Sequence, residues 1–215
     1  DVGSAVISPG LVVGHFSEVD VASTGAMQSQ VRAIDSFSPA STRLEELSEG
    51  GFTSVMYSPG SRSVVCGQIG CVRFHASNPV LMNKSQPVLP ASKFVLSSSS
   101  RSSSRFPASL SGQLTLTNEY FQGKDVESNL YMGSLKKQST VAVIEAGSSP
   151  EVEAALSLIR NHGLKAYILH PEDIQTSIDA LRDADAGLIV RSAKITDHDW
   201  YARDIADASN KGVKI

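Results

Sequence analysis

The chain is short of several features that would fix its class at once. It has two cysteines and one tryptophan in 215 residues, so no disulfide framework of a small secreted fold is spelled out. Charge of one sign is not in excess: 19 Lys+Arg stand against 22 Asp+Glu, net −3. Without a basic footprint, nucleic acid and anionic membrane are poor candidate partners. No apolar run approaches the roughly 18 residues of a membrane-spanning helix, and no charged segment followed by an apolar one opens the chain as a secretory signal would. Neither GxGxxG after the first strand nor GxxxxGK[ST] is present, which lowers the nucleotide-binding readings. The compartment stays open on these grounds.

What is there reads as ordinary globular composition, 41% hydrophobic and 19% charged with a mean hydropathy of −0.06, enough for one sizeable core. Cys66 and Cys71 lie in an apolar, glycine-containing stretch and read as buried thiols rather than a bridge or a zinc motif. The chain opens on an apolar run, DVGSAVISPGLVV, and stops at KGVKI, which resembles the first residues of a strand. Domains rarely begin and end inside strands, so one part of a longer product is expected.

Short strands alternate with helices along the chain. Leu11 to Phe16 reads as a buried strand, and Ser41 to Ser48 as a short helix with a capping box from Thr42 and Glu45. Phe52 to Tyr57 is a strand and Val64 to Phe74 is extended. SSSSRSSS, within residues 97–106, is low in complexity and reads as a mobile loop. Pro107 suits a first helical turn and Gly123 a stop. The second half is clearer: strands at 141–145, 166–169 and 187–190, helices at 150–162, 171–182 and 200–211, and a strand starting at Val213. Buried strands each followed by a helix imply a parallel sheet, and periodicity alone does not separate an open sheet from a closed barrel. His75, His162 and His198 match no motif; His162, beside Gly163, reads as a cation favoured at a helix C-terminus.

Particular segments then favour the barrel. SPGLVVGHFSEVD resembles the first strand end of imidazolonepropionase-like amidohydrolases, PGLID-x-HxH. VRAIDSFSP, then LEELSEGGFTSVMYSPGSRSVVCGQIGCVRF, resembles that family's next segment in order, including Gly51, Thr53, Pro59, Gly60, Ser61, Gly67 and Gln68. RFPASLSGQLTL, VIEAGSSPEVEAAL, GLKAYILHPEDI and the terminal GVKI are similar to the family's middle helix and its fifth, sixth and eighth strands. The resemblance covers nearly all of this chain but only about half of a usual member. It implies one partial (β/α)8 TIM-barrel-like domain over residues 1–215, incomplete in this chain.

The resemblance also implies a chemistry: metal-dependent hydrolysis of a C–N bond in a small or cyclic amide, with a divalent ion, zinc first, that acidifies a water and polarises the carbonyl. Two histidines spaced i, i+2 on a strand face the same way and grip one ion together. Here His15 falls on the first and Ser17 on the second. Glu145 falls on the fifth-strand histidine and His170 on the sixth-strand histidine. The eighth-strand aspartate would lie beyond Ile215. The candidate metal set is therefore His15, Glu145 and His170, with Ser61 and Gln68 as candidate substrate contacts. So depleted a set equally suits a catalytically inactive subunit or a small-ligand module paired with an active homologue. An open sheet edge seeks a partner, so another barrel chain or a homo-oligomer is expected beside a small amide substrate or ligand.

Overall fold

The computed structural model describes residues 10–17, 25–75, 78–82, 85–86, 89–123, 129–191 and 199–215. One sheet organises them: β1 (Leu11–Phe16), β2 (Phe52–Tyr57), β3 (Val65–His75), β5 (Ala91–Val95), β6 (Val141–Glu145), β7 (Ala166–Leu169) and β8 (Gly187–Ile189) lie side by side in that order, with β4 (Asn78–Leu81) paired to β3 off the path. The sheet curves into a nearly closed α/β barrel. At the seam β1 approaches β8 so closely that a Cβ on Gly14 would lie 2.9 Å from Ile189 Cγ2. Leu188 N–H donates to Lys214 O at 2.8 Å, so the last described residues already lie against β8.

The sheet is mixed rather than all parallel. β1–β2 and β5–β6–β7–β8 are parallel, as the strand–helix alternation predicts, but the extended segment from Val64 onward forms a long strand antiparallel to both β2 and β5. No helix separates β2 from β3, so the chain reverses directly and must run antiparallel.

Side chains alternate between two environments along the parallel strands. Ile69, Ala91, Val143 and Leu169 pack together with Met56, Val141 and Ile189 on the interior face. Their strand neighbours Phe94, Ala142, Ile144, Ile168 and Leu188 point outward, into a larger core with Tyr120, Phe121, Val152, Leu156, Ile159 and Leu181. That outer core is covered by α2 (Leu110–Phe121), α3 (Asn129–Lys136), α4 (Ser149–His162) and α5 (Ile178–Asp183). Each fully buried Leu or Phe contributes about 2 kcal/mol. A third cluster, Phe16, Leu44, Val55, Tyr57 and Val72, seats α1 (Thr42–Glu49). α6 (Asp199–Asn210) sends Ala208 into the outer core.

Helix ends follow local chemistry. α4 starts with a capping box between Ser148 and Glu151, and Gly163 closes it in the left-handed region at φ 61°. The cap of α1 is one residue earlier than the spacing suggests: the Ser41 hydroxyl, not that of Thr42, accepts from Leu44 N–H. α2 begins at Leu110 with Ser109 as its cap, so Pro107 lies outside it. The helix expected over 171–182 is shortened, because His170 takes a positive φ of 58° and Glu172 N–H bonds Gly147 O, leaving a 3-10 turn Gln175–Ser177 and then α5. His162 is no C-terminal cation: burial against Phe121, reinforced by Lys136, pushes its pKa down, and the ring bonds Asn118 Oδ1 at 2.8 Å. His198 lies outside the described residues. Both cysteines are free thiols, Cys66 buried and Cys71 half-buried.

The Ser-rich stretch contains a turn, Ser98–Ser100, with Ser100 buried. Gln113 from α2 donates to Ser97 O at 2.8 Å and Ser100 Oγ at 2.7 Å, while Arg101 bonds Gln113, Leu96 O and Glu151. These bonds fix the backbone just after β5.

Gly67 is required by both conformation and space. Its φ is +115°, and a Cβ there would lie 2.3 Å from Val31 O, the carbonyl that accepts Gln68 N–H at 2.7 Å. Gly51 also has a positive φ, +85°, but open space around it. Gly67→Ala should therefore cost about 3 kcal/mol or more, and Gly51→Ala about 1 kcal/mol. Urea melts of the two variants check this ranking.

Candidate site at the strand ends

The residues of interest sit where parallel strands finish. His15 is next to last in β1, Glu145 is last in β6, and His170 directly follows β7. Ser61 lies in the turn after β2 and Ser97 just after β5. C-terminal strand ends are where the loops of a barrel meet, so residues distant in sequence converge there.

At their centre stands a residue that the motifs do not flag, Lys93. It is in the middle of β5 with the parity of Ala91, hence on the interior face, and it is 0% exposed. Its Cα is level with Val143, and its four-carbon stem carries Nζ upward to the level of Glu145. There Nζ meets four acceptors: Ser61 Oγ at 2.9 Å, Pro59 O at 3.1 Å, His15 Nε2 at 3.2 Å and Glu145 Oε2 at 3.2 Å. A lysine ammonium has three N–H donors and no acceptor, so these contacts saturate it.

Glu145 is equally occupied. Its Oε2 accepts from Ser61 Oγ at 2.6 Å as well as facing Nζ, and its Oε1 accepts from Ser97 Oγ at 2.7 Å. Burial alone would raise its pKa, but the Lys93 ammonium and the two serine hydroxyls outweigh that and hold the carboxyl below its ordinary range. The anion is thus stabilised from both oxygens.

The imidazoles are kept neutral. Burial, then the Lys93 charge, pushes the pKa of His15 down to about 3. Burial, then Arg191, pushes His170 down to about 4. The two rings meet edge to face with centroids 5.2 Å apart. Because Nζ donates, the His15 Nε2 facing it is the acceptor and its proton sits on Nδ1.

The structure therefore brings His15, Glu145, His170 and Ser61 into one cluster. Gln68 is directed elsewhere: wholly buried, it accepts from Leu89 N–H at 2.9 Å and donates to Ser29 O at 3.4 Å, bracing backbone. Ser17 offers only its carbonyl, to Arg43. Sequence reasoning missed Lys93 and Ser97. A signal for the first exists, since a lone charge inside the apolar run ASKFVL is out of keeping with a buried strand unless it has a partner.

A divalent ion does not fit this arrangement. It would need the lone pairs of His15 Nε2 and Glu145 Oε2 at roughly 2.0–2.2 Å, and both already face an ammonium. Placing it there would set two cations side by side in a buried space. Among the described residues no group of three or more His, Cys, Asp or Glu is arranged to hold a metal ion.

A polar cluster at the strand ends is common to α/β barrels, and one solved barrel structure matches this fold. The chain superposes on an amidohydrolase from Thermotoga maritima MSB8 with a TM-score of 0.77 and 19% identity, over 96% of this chain and 64% of that one. At that identity the likeness concerns the fold, and this chain spans less than two thirds of that protein. No protein-family model matches the sequence. No curated protein sequence matches it either.

The neutral imidazoles generate a pH prediction. Their folded pKa values lie below the unfolded value near 6.5, so the unfolded chain binds more protons once pH falls below it. Stability is fully present above about 6.5 and is lost as pH drops towards about 4 for His170 and about 3 for His15. His15→Phe should remove about 1–2 kcal/mol of the loss seen between pH 7 and 5. Denaturant melts at the two pH values measure the slope.

Proposed function

We propose that this chain is a non-hydrolytic amidohydrolase-like barrel unit, whose strand-end centre has become a structural and small-ligand site, and which works in association with another barrel chain. The observation that carries this reading is that Glu145 accepts at both oxygens and is paired with a buried ammonium. A carboxylate that serves as metal ligand or general base needs a free lone pair aimed at the ion or the proton. Here one oxygen accepts from Ser97, and the other accepts from Ser61 and faces Lys93. The nearby space takes a ligand of mixed character: a cavity of about 540 Å³ beside His15 and His170 is walled by Leu47, Phe52, Ile189 and Arg191.

Association is supported by the seam. Leu11 and Val12 on β1 are 57% and 63% exposed. Val12 and Ile215 border an apolar cavity of about 490 Å³ together with Gly14, Leu188, Ile189 and Val190. Exposed strand edges and apolar patches of this kind favour pairing with another chain. Light scattering of the purified protein should show a dimer or larger species, and a monodisperse monomer contradicts this part of the reading.

The competing reading is metal-dependent hydrolysis of a small or cyclic amide, and the meeting of His15 with His170 favours it. The two separate in an assay of linear and cyclic amides supplemented with zinc, manganese or cobalt. The expected result is no turnover above that of the His15→Ala/His170→Ala variant. Metal-dependent turnover that this variant loses would reinstate the hydrolase.

A further inference from the structure

Two arginines bracket the serines at 102–104, and the fold treats them differently. Arg101 is built in: its guanidinium donates to Gln113 Oε1 at 2.9 Å, to Leu96 O at 2.8 Å and to Glu151 Oε1 at 2.6 Å. Arg105, four residues on, is half-buried and donates one bond, from Nη2 to the carbonyl of Arg62 in the turn after β2. Its Nη1 is shielded from solvent and meets no acceptor. Among the described residues no carboxylate pairs with it, for Glu151 is taken by Arg101 and Glu145 by Lys93. A guanidinium N–H withdrawn from water with nothing to accept it is costly, and such a group in a folded chain calls for an explanation. We propose that Arg105 anchors an anion site on the rim of the barrel, between the turn after β2 and the loop after β5, which takes a phosphate group. No side chain of the strand-end centre takes part, so the site goes beyond the reading given above and does not depend on it.

Position and donor type both support the assignment. The bond to Arg62 O holds the guanidinium at one corner, and the rest of the fork remains for a ligand. Parallel N–H donors of that kind match two oxygens of a phosphate, and the charge behind them does not titrate away. The loop that carries Arg105 is already closed: Ser102 N–H donates to Pro107 O at 3.1 Å and Ser104 N–H to Ser102 Oγ at 3.3 Å. Its backbone is thus set before anything binds, which lowers the ordering cost of binding. Next to Arg105 in the chain are the exposed hydroxyl residues Ser103 and Ser104, and the exposed Arg62 adds a second positive charge on the facing turn. A group with two negative charges and several acceptor oxygens suits such a surface better than a singly charged carboxylate.

The test is titration of inorganic phosphate into the whole chain by calorimetry at low ionic strength, where surface charge is least screened. The urea midpoint is measured alongside. The expected result is saturable binding of about one phosphate per chain, with a midpoint that rises with phosphate because the ligand binds the folded state. Arg105→Gln should weaken phosphate roughly tenfold or more. Without phosphate, the midpoint of Arg105→Gln should equal or exceed that of the wild type, because the unmet charge is gone. Arg105→Lys keeps the charge and loses the fork, so it should fall between the two. Arg160→Gln, which changes an exposed arginine on α4, should leave phosphate binding as it is. Glycerol 3-phosphate in place of the inorganic ion tells the source. Tighter binding assigns the phosphate to a small organic ligand, and equal binding assigns it to the free ion.

Phosphate that fails to bind the wild type, or binds Arg105→Gln as well as the wild type, overturns the site. Acetate that binds as tightly as phosphate overturns the class of ligand. An Arg105→Gln chain that fails to fold, or melts clearly below the wild type without phosphate, also overturns the proposal, since that result marks an arginine needed for the structure alone.

Discussion

The buried pair between Lys93 and Glu145 is the constraint around which the barrel mouth is arranged. A lysine with no exposure and a carboxylate with 8% exposure tolerate burial only if each offsets the other's lost hydration, and only if their remaining donors and lone pairs are met. Both conditions hold here. The serine hydroxyls, the Pro59 carbonyl and the His15 nitrogen complete what the ion pair leaves open. The same ammonium adds to burial, the larger cause, in depressing the basicity of His15, and it favours the ionised form of Glu145.

The fold delivers that pair through strand register. β5 and β6 are parallel with Lys93 level with Val143 and Val95 level with Glu145. Lys93 thus starts level with Val143, one layer above Ala91 and Val141, and ends in the polar layer above it. Beneath lies an apolar plug, Ile69, Ala91, Val143 and Leu169, which excludes water from below. Ser97 is held from behind through Gln113, which also bonds Ser100 and Arg101, while Arg101 reaches Glu151 at the start of α4. The helix that covers the outer core therefore also braces the loop that feeds the carboxylate a hydrogen bond. Burial of apolar surface builds the barrel, and the polar network decides what its mouth is able to hold.

Much of this was legible in the sequence, for identifiable reasons. The strands at 141–145 and 166–169 are uninterrupted apolar runs set between helices with clear caps, and each appears with those bounds. His15, Glu145 and His170 were singled out as candidate metal ligands by their motif order, and the structure shows them at one end of the sheet. The antiparallel course of β3 was not legible, since an extended run carries no mark of direction and pairing is decided by tertiary contact. β5 went unnoticed because it lies between loops and a lysine interrupts its apolar run, although that Lys93 within ASKFVL hinted that a buried charge had found its counterpart. Gln68, placed by resemblance at a ligand, braces Leu89 and Ser29 instead, which no spacing rule distinguishes.

The central claim is that Lys93 and Glu145 act as one unit, and a double-mutant cycle tests it most directly. Stabilities of wild type, Lys93→Met, Glu145→Gln and the double variant would be measured by denaturant unfolding at neutral pH. Each single change should cost about 3–5 kcal/mol by stranding a buried charge, while the double variant should cost less than the sum by a coupling of at least about 2 kcal/mol. Additive costs, with the coupling near zero, would contradict the account.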